Sequence, residues 1–267
     1  MSKLPNLSQS LLKEYVDYFD ENVKSCGLYI RKKYFEKKPV ESTEVQKLGI
    51  YFEYMATGYL RPGDTIPQPE MVYKGTAREK MSTDYERATL SAELFKNMMK
   101  HYGIIPLKYG EYMLHDGSSG ISDIYAIWNG EECIIDVKYS GLFDDKFSEY
   151  GWHTESLVYK SKTLLQPIHY KYLAKHTKGI PDIPFYFWVF HAKNHEKAKI
   201  IKANIQEEHL NLHEQITVPK MKKYLNFHYN NLDKLEARPN FVRCKDCPFY
   251  DECDQRAEVP TIEEIYY

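Results

Sequence analysis

The sequence predicts an α/β fold in which helices flank a mixed β-sheet. The predicted elements run in the order helices, a three-strand meander, a helix and two further strands, which is the order expected of a sheet that helices cover. The dipeptide Asn129-Gly130 lies between two runs rich in Ile, Val and Tyr and is the strongest hairpin signal in the chain. A length of 267 residues suits one catalytic core with helical additions.

Each element is predicted from the period of its apolar residues and from the turn residues that bound it. Apolar positions at helical spacing, ended by proline or glycine turns, predict helices at about 8–35, 45–59, 83–102, 164–175 and 219–235. Short runs rich in β-branched and aromatic residues predict strands at about 110–114, 122–128, 132–139, 184–192 and 197–205. The proline-containing stretch 63–75 is predicted to be a loop.

The charge balance argues against a protein that simply packages DNA. Lys and Arg number 36 against 38 Asp and Glu, for a formal charge of −2. A protein that simply coats nucleic acid is usually basic, since phosphate neutralisation supplies its affinity. No apolar run approaches the roughly 20 residues that cross a bilayer, and the N-terminus lacks a secretory signal. We therefore expect a cytoplasmic protein without a membrane partner, in which cysteines are metal ligands or buried thiols.

The predicted meander carries acidic residues and a lysine of the kind that phosphodiester hydrolysis needs. Asp123 lies on one strand, and Asp136-Val137-Lys138 follows thirteen residues later on the next. Strand alternation places Asp136 and Lys138 on one face and turns Val137 into the core. Carboxylates can hold a divalent cation, and a lysine can stabilise developing negative charge. The alternative is that these are solvated charges on a strand face.

Four short motifs together resemble the RecB-like branch of the PD-(D/E)XK nucleases. They are Gly49-x3-Glu53, Gly120-x2-Asp123, Asp136-x-Lys138 and Gln166-x3-Tyr170. The resemblance implies a restriction-endonuclease-like fold that cleaves DNA, most often from a single-stranded or free end. It implies that Glu53, Asp123, Asp136 and the Val137 carbonyl bind Mg²⁺ or Mn²⁺ and that Lys138 orients or activates water. It also implies that Gln166 and Tyr170 contact DNA or brace the site.

Two positions depart from the pattern of the branch. Position 53 is Glu where many members have His, which should shift the metal preference toward hard cations. Pro167 follows Gln166 directly, and proline is tolerated in the first turn of a helix. We therefore expect Gln166 at the start of its helix rather than inside it.

The cysteines suggest a second metal centre. Cys244, Cys247 and Cys253 form a C-x2-C-x5-C motif that leaves one ligand to be found. Cys26 is the better candidate for it, because Cys133 belongs to a predicted core strand, where a small buried thiol is common. By spacing alone a structural zinc site is about as well supported as an iron–sulphur cluster, and a coincidental set of thiols is the third alternative.

A distant N-terminal cysteine followed by a C-terminal C-x2-C-x5-C also resembles the iron–sulphur nucleases of the same branch, such as the AddB nuclease domain and the CRISPR-associated spacer-acquisition exonucleases. The resemblance implies that Cys26, Cys244, Cys247 and Cys253 hold a 4Fe–4S cluster. A cross-link between Cys26 and Cys244 closes a long loop and would remove roughly 5 kcal/mol of unfolded-state entropy by the loop model used for disulfides. The chain is then a single nuclease domain over 1–267, with a core of about 45–210 and cluster-binding segments of about 8–40 and 219–256.

These observations predict a metal-dependent deoxyribonuclease. Its partner would be DNA, and proteins of a recombination, CRISPR or phage DNA-processing system would each fit beside it. The first rival prediction is a catalytically silent nuclease fold that binds DNA or a protein. The second is an interaction module stabilised by a structural zinc site with four cysteine ligands, in which the acidic residues are surface charges.

Overall fold

A computed structural model describes residues 4–19, 25–73, 79–159, 161–239 and 244–255. The helices are α1 (Gln9–Phe19), α2 (Gly27–Ile30), α3 (Glu44–Thr57), α4 (Thr83–His101), α5 (Ser161–Lys178), α6 (Glu207–Leu212) and α7 (Val218–Asn230). The strands are β1 (Leu7–Ser8), β2 (Met71–Tyr73), β3 (Glu79–Met81), β4 (Ile105–His115), β5 (Ser118–Trp128), β6 (Glu131–Ser140), β7 (Phe185–His191) and β8 (Ala198–Lys202). Within this part of the chain, no helix combines the length and the apolar character needed to span a membrane.

The chain divides into two compact units, 1–41 with 214–267, and 42–213. In the second unit, β4 to β8 pair in sequence order as neighbours of a mixed sheet. Strands β6 and β7 run parallel, and the other neighbouring pairs of this series run antiparallel. The prediction of a mixed sheet among helices is therefore confirmed.

The hydrophobic core of the second unit lies on one face of this sheet. Helices α3 and α4 cover that face, with Phe52 and Phe95 packed against Trp188 and Phe190 of β7. The partners from β5 and β6 include Ile124, Ala126, Cys133, Ile135 and Val137. Helix α5 packs on the opposite face, against β4 and β5. The sheet is thus covered on both faces, and the second face also buries apolar residues such as Ile134 and Phe185.

The first unit is built from α1, α2, α7 and shorter helical segments. The α1 residues Tyr15 and Phe19 stack on α7, where the Phe19 and Tyr224 rings lie 3.9 Å apart. The hydroxyl of Tyr15 lies 3.2 Å from Nδ1 of His228. A π-helical turn, Arg31–Phe35, continues α2. The aromatic rings therefore join the N-terminal and C-terminal parts of this unit.

Three secondary-structure predictions are wrong in detail. The helix expected over 8–35 does not run through Cys26, whose φ of −123° and ψ of 129° are extended values, and α2 begins only after it. The loop expected over 63–75 contains strand β2, which pairs with β3. Pro167 lies inside α5 instead of beside its start, so Gln166 is an interior helical residue.

Candidate active site

Helix α3 positions Glu53. It begins with a capping box formed by Thr43 and Gln46 and ends at Gly58, whose φ of +70° favours glycine. The side chain of Glu53 is 19% exposed, and its Oε1 accepts a hydrogen bond of 3.4 Å from Nε of Arg61. The glycine of the same motif, Gly49, has open space where a Cβ would lie. Its presence is therefore not explained by packing.

The β5–β6 hairpin brings two aspartates side by side. Its turn residues, Asn129 and Gly130, have φ values of +53° and +82°, which only a few residue types adopt easily. The strand register ends at the pair Ile124–Ile135, so Asp123 lies one step further on, beside Asp136. Asp123 Oδ2 accepts the Val137 N–H at 2.8 Å and thereby takes the place of a strand carbonyl. Both aspartate side chains are at least 98% buried.

Lys138 follows Asp136 on the same face of β6, and its ammonium group forms an ion pair with Asp136 Oδ2. Its side chain is 30% exposed, so the ammonium end lies between the buried aspartate and solvent. Val137 turns toward the apolar core, as strand alternation predicted. The structure shows a role for its N–H, while metal binding by its carbonyl stays a prediction.

Helix α5 directs Gln166 and Tyr170 at the same hairpin. Gln166 donates from Nε2 to Asp136 Oδ1 at 2.5 Å. The Tyr170 hydroxyl donates to the Ile121 carbonyl at 2.6 Å. A Cβ at Gly120 would lie 2.7 Å from the Tyr170 ring, so only glycine lets this ring approach β5. Both residues therefore contact the hairpin that carries the two aspartates.

Arg61 is the residue that the sequence analysis missed. It begins the Arg61-Pro62-Gly63-Asp64 turn, in which the Asp64 N–H donates a 3.0 Å hydrogen bond to the Arg61 carbonyl. Its guanidinium group also contacts Glu53 and forms an ion pair with Asp123 Oδ1. The available signal was an arginine eight residues after the motif glutamate, which is too general to single it out.

Several carboxyl groups are buried close together in the site, and two of them have raised pKa values. Burial raises the pKa of Glu53 to about 7, and the nearby Asp123 adds to this rise. Burial also raises the pKa of Asp136 to about 6, although Lys138 opposes the rise. The Asp123 carboxylate holds the pKa of Arg61 above its ordinary value. Buried carboxylates with raised pKa values are stabilised by an added cation, because it favours their ionised form.

The structure thus brings Asp123, Asp136, Lys138, Gln166 and Tyr170 together at the hairpin, and Arg61 links Glu53 of α3 to Asp123. Three carboxylates face two basic side chains, so one negative charge stays uncompensated when all are ionised. In the described part of the chain, no group of three or more His, Cys, Asp or Glu side chains is arranged as it stands to hold a metal ion. Arg61 and Lys138 occupy carboxylate oxygens that a cation would use.

The other predicted centre lies within the first unit. Cys26, Cys244, Cys247 and Cys253 line one pocket together with Leu28, Ala237, Arg238, Pro239 and Tyr250. The Arg238 N–H donates to the Cys26 sulphur at 3.4 Å. Backbone hydrogen bonds of 3.1 Å join Cys247 to Cys244 and Cys253 to Tyr250. The fifth cysteine, Cys133, is buried in β6, where burial raises its pKa to about 12.

Close packing brings the Cys26 region against the C-terminal segment. A Cβ at Gly27 would lie 2.3 Å from the Glu236 carbonyl oxygen, so glycine is required there. Lys32 forms an ion pair with Glu252, and its ammonium group lies 6.0 Å from the centre of the Phe249 ring. These contacts hold the four cysteines around the same pocket.

No protein-family model and no curated protein sequence matches this chain. A crystal structure of a protein from Eubacterium rectale, provisionally named an exonuclease, superposes with a TM-score of 0.59. The alignment covers 97% of this chain and 91% of that chain at 15% sequence identity. The two chains share a fold. A second crystal structure, of SSO0001, aligns over 65% of this chain and 71% of that one at 11% identity, with a TM-score of 0.33 that is too low to indicate a shared fold.

Proposed function

We propose that this protein is a metal-dependent deoxyribonuclease of the RecB-like PD-(D/E)XK type that hydrolyses single-stranded or free-ended DNA. The observation that carries the proposal is the convergence of Asp123, Asp136 and Lys138 on the β5–β6 hairpin. Glu53 of α3 joins this group through Arg61, which contacts both Glu53 and Asp123. The shared fold with the protein provisionally named an exonuclease adds support.

The carboxylate set fits Mg²⁺ or Mn²⁺, because both ions prefer oxygen ligands. Such an ion, held by Glu53, Asp123, Asp136 and the Val137 carbonyl, would neutralise phosphate charge and make bound water more acidic. The protein residues then have separate tasks. The Asp136 and Asp123 carboxylates outweigh the effect of burial and raise the pKa of Lys138, which keeps its amine protonated. Lys138 therefore acts as a hydrogen-bond donor to water or to the developing phosphorane oxygen.

Gln166 and Tyr170 keep this arrangement in place. Gln166 fixes one oxygen of Asp136 and leaves the other toward Lys138. Tyr170 ties α5 to the β5 backbone two residues before Asp123. Each is thus a positioning residue that limits the freedom of an aspartate.

The test is digestion of end-labelled single-stranded DNA in Mn²⁺, with circular DNA of the same sequence in parallel. We expect the parent protein to degrade the linear strand and to leave the circle intact. Lys138→Ala should lose activity by roughly 10²–10³-fold, as for removal of one charge-stabilising donor. Lys146, an exposed lysine of the loop after β6, provides the matched control variant Lys146→Ala. Equal activity of Lys138→Ala and the parent would contradict the proposal, and a parent that binds DNA without cutting it would support the silent nuclease fold.

We also propose that the four pocket cysteines hold a 4Fe–4S cluster that joins the N-terminal and C-terminal parts of their unit. Thiolates are the ligands that such clusters use, and an N–H donor to a sulphur, like that of Arg238, is typical of their surroundings. Protein purified without oxygen should be brown and absorb visible light. Colourless protein with one equivalent of zinc would support the alternative of a structural zinc site instead.

A further inference from the structure

Arg61 makes the contacts that a metal ion in the proposed site would need. Its guanidinium group contacts Oε1 of Glu53 and Oδ1 of Asp123. Asp123 Oδ2 already accepts the Val137 N–H, so Oδ1 is the oxygen of Asp123 with the greater freedom to bind a cation. Arg61 and a divalent cation would therefore compete for the same two carboxylates.

We propose that Arg61 is a displaceable counter-cation, which neutralises Glu53 and Asp123 in the metal-free protein and binds a DNA phosphate once a divalent cation takes its place. The inference rests on the proposed function and adds to it a coupling between metal and substrate. It assigns a phosphate-binding residue outside the four motifs.

The chemistry of arginine suits this exchange. A guanidinium group stays charged at all physiological pH values, and its fork of N–H donors matches a phosphate as well as a carboxylate. Three ionised carboxylates and two basic side chains leave the site with one net negative charge. A divalent ion would outweigh this charge and make the site positive. Repulsion would then drive the arginine away from the ion, and the negative substrate would attract it.

The position of Arg61 also permits movement. Its side chain is 39% exposed, whereas that of Asp123 is 1% exposed. It follows the αL cap of α3 and immediately precedes the Pro62-Gly63 turn, so it is not part of a helix or strand. A rotation of this long side chain toward solvent therefore disturbs no backbone hydrogen bond of the sheet.

The exchange has a thermodynamic consequence. A phosphate that draws Arg61 away frees two carboxylates, so substrate should tighten metal binding, and by linkage metal should tighten substrate binding by the same factor. Loss of the guanidinium group should raise the affinity for metal in the absence of substrate and weaken this coupling. An arginine that served only as a structural tether would show neither effect.

The experiment measures Mn²⁺ binding by electron paramagnetic resonance, with and without dTMP as a phosphate probe that cannot be cut. We expect Arg61→Gln to bind Mn²⁺ on the order of tenfold tighter than the parent, because it lacks the competing charge. We expect dTMP at saturating Mn²⁺ to bind on the order of tenfold more weakly to this variant. Arg87→Gln is the matched control, because Arg87 pairs with Asp84 on α4 at 3.3 Å and should bind both probes like the parent.

The outcomes separate this inference from the proposed function. A parent that binds Mn²⁺ and an Arg61→Gln variant of equal Mn²⁺ affinity would overturn the role of Arg61 and leave the nuclease proposal standing. A parent that binds no Mn²⁺ would overturn both. If Arg61→Gln does not fold, Arg61→Lys is the second variant, because it keeps the positive charge but lacks the paired N–H donors of the guanidinium group. This variant should keep the Mn²⁺ affinity of the parent and bind dTMP more weakly. Unchanged dTMP affinity in that variant would contradict the inference.

Discussion

The two motif glycines should respond to alanine in opposite directions. A Cβ at Gly120 would lie 2.7 Å from Cε1 of Tyr170 and 3.0 Å from Cδ1 of Leu173, so Gly120→Ala overpacks a buried contact. Overpacking of this kind costs about 1–3 kcal/mol. A Cβ at Gly49 meets nothing within 4 Å, and Gly49 lies inside α3, so Gly49→Ala should stabilise the protein by about 0.5–1 kcal/mol.

Urea unfolding followed by tryptophan fluorescence measures both effects, because Trp128, Trp152 and Trp188 all lie in the unit that contains the two glycines. The free energies of unfolding of the two variants should differ by about 1.5–4 kcal/mol, the sum of the two effects. Gly120→Ala should also lower the proposed nuclease activity, because the added Cβ displaces the Tyr170 ring, whose hydroxyl donates to the β5 backbone two residues before Asp123. A neutral Gly120→Ala would refute the packing argument. A destabilising Gly49→Ala would show that the space beside α3 is needed for something else.

Three further predictions concern stability and the two proposed metal centres. Burial, aided by His169, lowers the pKa of His213 from 6.5 to about 3. The free energy of unfolding is therefore fully retained above pH 6.5 and falls progressively as the pH drops from 6.5 toward 3. Between pH 8 and pH 5, protonation of His213 in the unfolded chain should lower the free energy of unfolding by about 2 kcal/mol. Urea titrations of His213→Gln should therefore show a shallower dependence of this free energy on pH. Cys253→Ser should lose visible absorbance and lower the melting temperature, whereas Cys133→Ser should keep the absorbance; equal absorbance of both variants would contradict the cluster assignment. Gln166→Ala should lower kcat more than it raises KM for single-stranded DNA, because Asp136 loses its brace, and a pure KM effect would indicate DNA contact instead.

The sequence predicted those parts of the fold that local chemistry determines. Asn129 and Gly130 adopt the positive φ values that their residue types tolerate, so the hairpin and its register follow from the turn. Helix α3 begins and ends within two residues of its prediction, because its Thr43 cap and Gly58 stop are local signals. The same hairpin places Asp123 and Asp136 together, which explains why their proximity could be expected.

The remaining features depend on contacts between distant residues. Cys26 interrupts the predicted helix where Gly27 packs against the Glu236 backbone, and a local window of sequence cannot show that contact. Pro167 lies inside α5, because packing of the helix on β4 and β5 outweighs the local preference of proline. Arg61 meets Asp123 across 62 positions of sequence, so its place in the site became visible only in three dimensions.

The most direct test of the carboxylate site is the anomalous scattering of Mn²⁺ in crystals of the protein soaked with that ion. We expect one strong peak between Asp123 and Asp136, within coordination distance of both and of Glu53, and absent in Asp136→Asn. A peak bound elsewhere, with the three carboxylates still engaged by Arg61 and Lys138 at saturating Mn²⁺, would contradict the assignment of this site.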